Sequence, residues 1–203
     1  MKKIIIVDYG MGNIGSVLNM FKRISVEAEI SNDLNIISDA EKILLPGVGA
    51  FDQAMQRIID AGFKEILDKK ALVDKVPILG ICLGMQLLTR GSEEGTLPGF
   101  GWVAADTIKF RPMPSLKVPH MGWNLVKPVT PSLLTAGLLE ESRFYFVHSY
   151  YVKVDKDENS ILRSYHGVEF DSAIHAGNIF GTQFHPEKSH KFGMELLKNF
   201  SKI

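Results

Sequence analysis

The chain is 203 residues long, 45% of them hydrophobic, and 23 basic residues balance 23 acidic ones to a formal net charge of zero. That length can bury a core without disulfides or metals, and the charge balance leaves no electrostatic footprint for nucleic acid or a membrane surface. A single cysteine excludes an internal disulfide framework and suits a reducing cytoplasm.

No linker, low-complexity run or repeat divides the sequence, so one domain over residues 1–203 is expected. The N-terminal apolar run is stopped by Asp8, well short of a signal or spanning segment. Residues 3–7 are a continuous β-branched run, as in a central parallel strand, and Ile14, Val17, Leu18 and Phe21 give residues 14–23 helical spacing. Further strands are expected at 27–30 and 42–45. Between the first strand and helix, Gly10-Met11-Gly12-Asn13-Ile14-Gly15 satisfies the dinucleotide fingerprint, with Asp33 near the place of a ribose-binding acid. Against that reading, Asp33 sits in a polar, loop-like Ser31-Asn32-Asp33 segment, and no second domain remains for a redox substrate.

Pro46-Gly47-Val48-Gly49-Ala50-Phe51 follows the third strand. It is either an ordinary strand-to-helix loop or a turn whose glycines let backbone amides point at an oxyanion. Helical patterning then covers 52–70 through Met55, Ile58, Ile59, Phe63, Ile66 and Leu67. The alternation of strand and helix predicts a parallel sheet covered on both faces. In residues 76–88 a short apolar strand leads into Gly80-Ile81-Cys82-Leu83-Gly84 and a helix-forming segment. A lone cysteine is ordinarily a small core residue. Glycines on both sides of a strand-to-helix turn instead suggest a nucleophile elbow with Cys82 at its tip, where the helix start favours thiolate.

From Gly91 onward Gly95, Pro98, Gly99, Gly101, Pro112, Pro114, Pro119, Pro128 and Pro131 break the chain into short strands and turns. An antiparallel extension of the same sheet is expected, with strands at 143–147, 150–154, 161–165, 172–175 and 179–184 and a closing amphipathic helix at 192–200. His185 leaves the last of these strands at a proline, and Glu187 lies close enough to orient it. Cys82, His185 and Glu187 thus form a candidate nucleophile, acid/base and orienter. His120, His148, His166, His175 and His190 lack close metal-ligand spacing and read as structural, so neither a metal nor a cofactor is expected.

Gly80-Ile81-Cys82-Leu83-Gly84-Met85-Gln86 and Phe184-His185-Pro186-Glu187 together resemble the class I glutamine amidotransferases. More narrowly, Asp8-Tyr9-Gly10-Met11-Gly12-Asn13, Pro46 to Phe51, Pro119-His120-Met121-Gly122-Trp123-Asn124 and His185 to Ser189 resemble the glutaminase subunits of imidazole glycerol phosphate synthases, over nearly the whole chain. The resemblance implies a three-layer, flavodoxin-like α/β fold, and it makes residues 10–15 an N-terminal loop rather than a nucleotide cradle. It implies that Cys82 attacks the carboxamide of L-glutamine to form a thioester, that His185 shuttles the proton and that Glu187 holds His185. Backbone amides of Val48 and Leu83 would stabilise the oxyanion, while Gly47, Gly49, Gln86, Glu94, Ser149 and Tyr150 would hold the amino-acid head. Thr89-Arg90-Gly91 departs from the Phe-Glu-Ser type of segment usual before Glu94, and His190 stands where Gln is common.

Ammonia released into water is protonated and loses its nucleophilic lone pair, so it must pass directly to an acceptor, and the chain has no residues left to build one. By resemblance the acceptor is a (βα)8 cyclase of histidine biosynthesis. It would form a heterodimer with this chain and make imidazole glycerol phosphate and AICAR from a phosphorylated aminoimidazole carboxamide ribonucleotide. Asn13, Met121, Trp123, Tyr145 and Lys188 match positions at that junction; ordinary packing is the other reading of the aromatic residues. A paralogous glutaminase feeding a sugar amidation enzyme would carry the same motifs. The glycines around Val48 are expected to permit a resting state in which its peptide is turned away from the oxyanion.

Overall fold

Residues Ile4–Val7 (β1) are all β-branched and all buried, which requires a strand in the middle of a sheet covered on both faces. The structure, a computed structural model, describes residues 2–111, 116–139 and 141–203; Pro112 and Pro114 lie outside the described residues. After β1 come α1 (Ile14–Arg23), β2 (Ala28–Ser31), α2 (Leu34–Ser38), β3 (Ile43–Leu45), α3 (Phe51–Asp60), α4 (Phe63–Asp68), β4 (Ile78–Ile81) and α5 (Leu83–Leu87). The second half adds β5 (Ala105–Lys109), β6 (His120–Leu125), β7 (Lys127–Pro128), β8 (Arg143–His148), β9 (Tyr150–Val154), β10 (Ser160–His166), β11 (Val168–Ala176), β12 (Ile179–Thr182) and α6 (His190–Lys202).

The main sheet runs β2-β1-β3-β4-β12-β11-β10-β7, with β9 and β5 attached to β11. Neighbours from β2 to β12 are parallel, and pairings beyond β12 are antiparallel. Strand alternation divides the core in two. Ile5, Val7, Ile43 and Leu45 pack with Phe51, Met55, Ile58, Phe63 and Leu67 of α3 and α4 on one face. Ile4, Ile6 and Leu44 pack with Val17 and Phe21 of α1 and Leu196, Leu197 and Phe200 of α6 on the other. This is the expected three-layer α/β arrangement with a mostly parallel sheet and an antiparallel extension. No described helix is long and apolar enough to cross a membrane.

Three sequence expectations are corrected. The helix over 52–70 is two helices, because Gly62 takes the left-handed conformation at φ 72° between α3 and α4, and a wider π turn at Lys69–Val73 follows. The strand at 143–147 leaves the main sheet: β8 pairs with β6 in a separate two-stranded sheet. Asp33 begins a short helix, its carboxylate accepting the N–H groups of Asn35 and Ile36 at the start of α2. That cap accounts for an acid the nucleotide reading assigned to a ribose.

Candidate active site

The tip of the β4–α5 turn is Cys82, a non-glycine residue at φ 55°, ψ −109° whose N–H donates to Thr182 O at 2.7 Å. A side chain held in that region is strained, and such strain persists only where the surroundings enforce it. The neighbouring glycines explain how they do. A Cβ on Gly84 would stand 1.9 Å from the Leu45 carbonyl oxygen, and one on Gly80 would stand 2.6 Å from the Gly84 backbone. The close approach of β3, β4 and α5 therefore forces the elbow.

His185 follows β12 and is held by its backbone. Its N–H donates to Tyr145 O at 2.9 Å, and its carbonyl accepts from Ser189 Oγ at 2.6 Å; Ser189 Oγ in turn accepts the Tyr145 N–H at 3.0 Å. A 3-10 turn at Pro186–Lys188 then brings Glu187 back, and its Oε1 accepts from His185 Nδ1 at 2.7 Å with both side chains almost fully buried. Burial works to lower the His185 pKa, but interaction with Cys82 and Glu187 outweighs it and pushes the imidazole up to about 10. His185 Nε2 is buried without a well-formed hydrogen bond, a loose resting contact with the Cys82 sulfur of the kind that tightens when substrate binds. Its second nitrogen satisfied by Glu187, the ring can take a proton from the sulfur or give one to a leaving group.

Beside Cys82 opens a cavity of about 310 Å³. Val48, Gly49, Gln86, Glu94, Ser149 and Tyr150 all lie on its wall. Gln86 Nε2 donates to Tyr150 O and to Gln183 Oε1, both at 3.1 Å. Glu94 Oε2 accepts the Phe51 N–H at 2.9 Å, supplying the cap that Ala50 cannot give α3. The loop carrying Glu94 is tied to α3 by Asp52, whose carboxylate accepts the N–H groups of Thr96 and Leu97, and these bonds hold its pKa below the usual carboxylate range. In the segment that departs from the family pattern, Thr89 Oγ1 is buried and bonded to Gln86 O, Gly91 O and Thr107 Oγ1, and Arg90 pairs with Asp106 and Asp155.

Gly47 and Leu83 are not among the residues lining the cavity, and they meet each other: the Leu83 N–H donates to Gly47 O at 3.3 Å. In a planar trans peptide the C=O and the following N–H point in opposite directions, so the Val48 N–H is turned away from the Leu83 amide. The two amides do not converge. The N-terminal loop backs this segment, with Tyr9 Oη donating to Pro46 O and Gly12 packed on Gly47.

The class-I glutamine amidotransferase family model matches residues 5–203. The chain belongs to the class I glutamine amidotransferases. It is 52% identical to "Imidazole glycerol phosphate synthase subunit HisH 2" of Methanococcus maripaludis, covering 98% of each chain. It is 49% identical to the protein of the same name from Pseudomonas aeruginosa (98% of this chain and 99% of the relative) and to subunit HisH of Bdellovibrio bacteriovorus (98% of each). Among solved structures, that of PurLQS from Thermotoga maritima aligns with TM-score 0.73 at 19% identity over 98% of each chain. A glutamine amidotransferase from the same organism aligns with TM-score 0.63 at 15% identity, covering 99% of this chain and 83% of its own. These two likenesses concern the fold.

Of the remaining expected residues of this amidotransferase, Met121, Trp123, Tyr145 and Lys188 lie on one face. Met121 and Trp123 alternate outward on β6 and are 63% and 47% exposed. Trp123 meets Tyr145 edge-on across the strand pair at 6.3 Å and stacks on His190 at 5.4 Å, while Lys188 Nζ lies 5.7 Å over the Tyr145 ring. Asn13 is exposed at the start of α1, where its Oδ1 accepts the Ser16 N–H. Sequence reasoning missed Pro119, Val147 and His148, which also line the cavity. A signal for His148 existed, since Phe144, Phe146 and His148 recur with period two and form the buried side of β8. Among the described residues no group of three or more His, Cys, Asp or Glu side chains is arranged to hold a metal.

Proposed function

We propose that this amidotransferase is the glutaminase subunit of an imidazole glycerol phosphate synthase in histidine biosynthesis, cytoplasmic and paired as a heterodimer with a (βα)8 cyclase. The observation that carries the proposal is the similarity, over 98% of both chains, to subunits of that name. With the Cys82 proton already on His185 Nε2, the Cys82 thiolate attacks Cδ of L-glutamine. The tetrahedral oxyanion collapses as Nε2 returns the proton to the departing nitrogen, and ammonia leaves. Water then adds to the γ-glutamyl thioester, giving its proton to Nε2, and glutamate and the Cys82 thiolate are released. Glu187 supports the imidazolium in both halves. Gly47, Gly49, Gln86, Glu94, Ser149 and Tyr150 hold the amino-acid head.

Amides of Val48 and Leu83 serve the oxyanion only after the Gly47–Val48 peptide turns over, because Gly47 O now accepts the Leu83 N–H. Each donor is worth about 3 kcal/mol of barrier, so the isolated chain rests nearly silent. Docking of the loaded cyclase against Asn13, Met121, Trp123, Tyr145 and Lys188 turns the peptide and receives the ammonia.

The test is glutamate release from L-glutamine with the cyclase, with and without its ribonucleotide, using Cys82→Ala as blank. Strong activity in the full mixture alone is expected. Equal activity without partner would refute the resting state. Activation by a different ammonia acceptor, such as a sugar amidation enzyme, in place of the cyclase would refute the assignment to histidine biosynthesis and leave the glutaminase chemistry intact.

A further inference from the structure

Two buried histidines outside the triad occupy opposed positions on β6 and β8, His120 facing His148. Their partners assign every ring hydrogen. His148 Nδ1 lies 2.8 Å from Tyr150 O, which can only accept, so Nδ1 donates. His148 Nε2 is then the acceptor for His120 Nδ1–H at 2.9 Å, and His120 Nε2 accepts from Asn124 Nδ2 at 3.1 Å. The Asn124 amide is itself pinned, Nδ2 donating also to Tyr165 O at 2.9 Å and Oδ1 accepting the Leu125 N–H at 2.8 Å. Both rings are neutral in this pattern, and their surroundings agree. Burial, then the nearby His166, pulls His120 down to about 4; burial outweighs the Tyr150 carbonyl and pulls His148 down to about 3.

Tyr150 O is the joint of the network, because it also accepts Gln86 Nε2. Gln86 reaches Gln183 Oε1, and Gln183 Nε2 lies 3.8 Å from Cys82 Sγ. A connected chain of hydrogen bonds therefore runs from Asn124 on β6, the strand whose outer side carries Met121 and Trp123, to Tyr150 O, which accepts from both His148 and Gln86, and on through Gln86 and Gln183 to the wall of the cavity and the sulfur. A break at His120 would leave His148 Nε2 buried without a donor, and a buried unsatisfied group drives rearrangement. Tyr150 and Ser149 would shift with it.

We propose that His120 and His148 are positioning residues for glutamine, holding Ser149, Tyr150 and Gln86 in the arrangement that binds the amino-acid head. The proposal rests on the glutaminase reading. His120→Phe keeps the ring packing on Phe146 and His166 and removes both hydrogen bonds, whereas His120→Gln keeps a donor and an acceptor. The experiment follows alkylation of Cys82 in the full chain by iodoacetamide and its protection by L-glutamine. In His120→Phe the half-protecting glutamine concentration should rise about tenfold, the loss of roughly one good hydrogen bond, with the unprotected alkylation rate unchanged. His120→Gln should restore protection to within about threefold by the same reasoning. Unchanged protection in His120→Phe would overturn the proposal. So would equal impairment of both variants with a matching change in unprotected alkylation, which marks a purely structural role. An unaltered chain that glutamine never protects would refute the glutaminase reading, and this proposal with it.

Discussion

Replacing Glu187 with Gln isolates the charge of the orienting group. Gln has the same shape and keeps an oxygen for His185 Nδ1–H, so the 2.7 Å contact can survive while the ion pair is lost. At an effective dielectric of about 20, a unit charge pair at that distance is worth about 6 kcal/mol before desolvation. Desolvation of the nearly buried carboxylate cancels part of this. A residual of about 4 kcal/mol in the transition state corresponds to a loss of about 10³-fold in kcat, similar to the cost of neutralising an orienting carboxylate in other triads. The assay is glutamate release by the complex with its loaded cyclase, with partner affinity measured in parallel. Turnover within tenfold of the unaltered protein would refute the reasoning. A second readout fixes the sign. His185 is raised above its unfolded value of about 6.5, so the stabilisation from its partners is complete below that pH and disappears as pH rises towards about 10. The stability deficit of Glu187→Gln in urea unfolding should therefore be largest near pH 6 and shrink across that window.

Gly84→Ala places a Cβ 1.9 Å from the Leu45 carbonyl, a backbone atom that cannot step aside, and should cost about 3 kcal/mol or more, read as a lower midpoint in urea. In Gly47→Ala the added carbon meets Tyr9 Oη at 2.5 Å and the Gly84 nitrogen at 3.1 Å, where the peptide must turn; partner-stimulated kcat should fall by about 10²-fold, and unimpaired stimulation would dismiss the peptide turn. Trp123→Ala removes the half-exposed centre of the aromatic face, so the complex with the cyclase should weaken by about 2 kcal/mol, or roughly 30-fold in Kd by calorimetry, while the melting temperature of the free chain stays within a few degrees.

Much of the geometry around Cys82 and His185 could be read locally. The β-branched run of β1, the glycines flanking Cys82 and the two-residue step from His185 to Glu187 each describe a short segment whose conformation follows from its own residues. Where the reading failed, the missing information was not local. Residues 52–70 keep one apolar period through the Gly62 break, because α3 and α4 face the same side of the sheet. Residues 143–147 look like any other short strand, and nothing in their pattern names β6 as the partner. The sequence reads His148 as structural, since a buried histidine and a cavity-lining one have the same spacing in sequence.

By itself the sequence determined the α/β layering, the glycine-flanked elbow that carries Cys82 and the short step that sets Glu187 against His185, because alternation, glycine positions and short-range spacing act within a few residues. Tertiary structure alone decided that His185 Nε2 is left without a well-formed partner, that Gly47 O takes the Leu83 amide, and that Asn124, His120 and His148 join β6 to the cavity wall. Those facts depend on which strands lie side by side. Hydrogen-bond partners far apart in the chain are chosen by packing the whole core, and no local pattern records that choice.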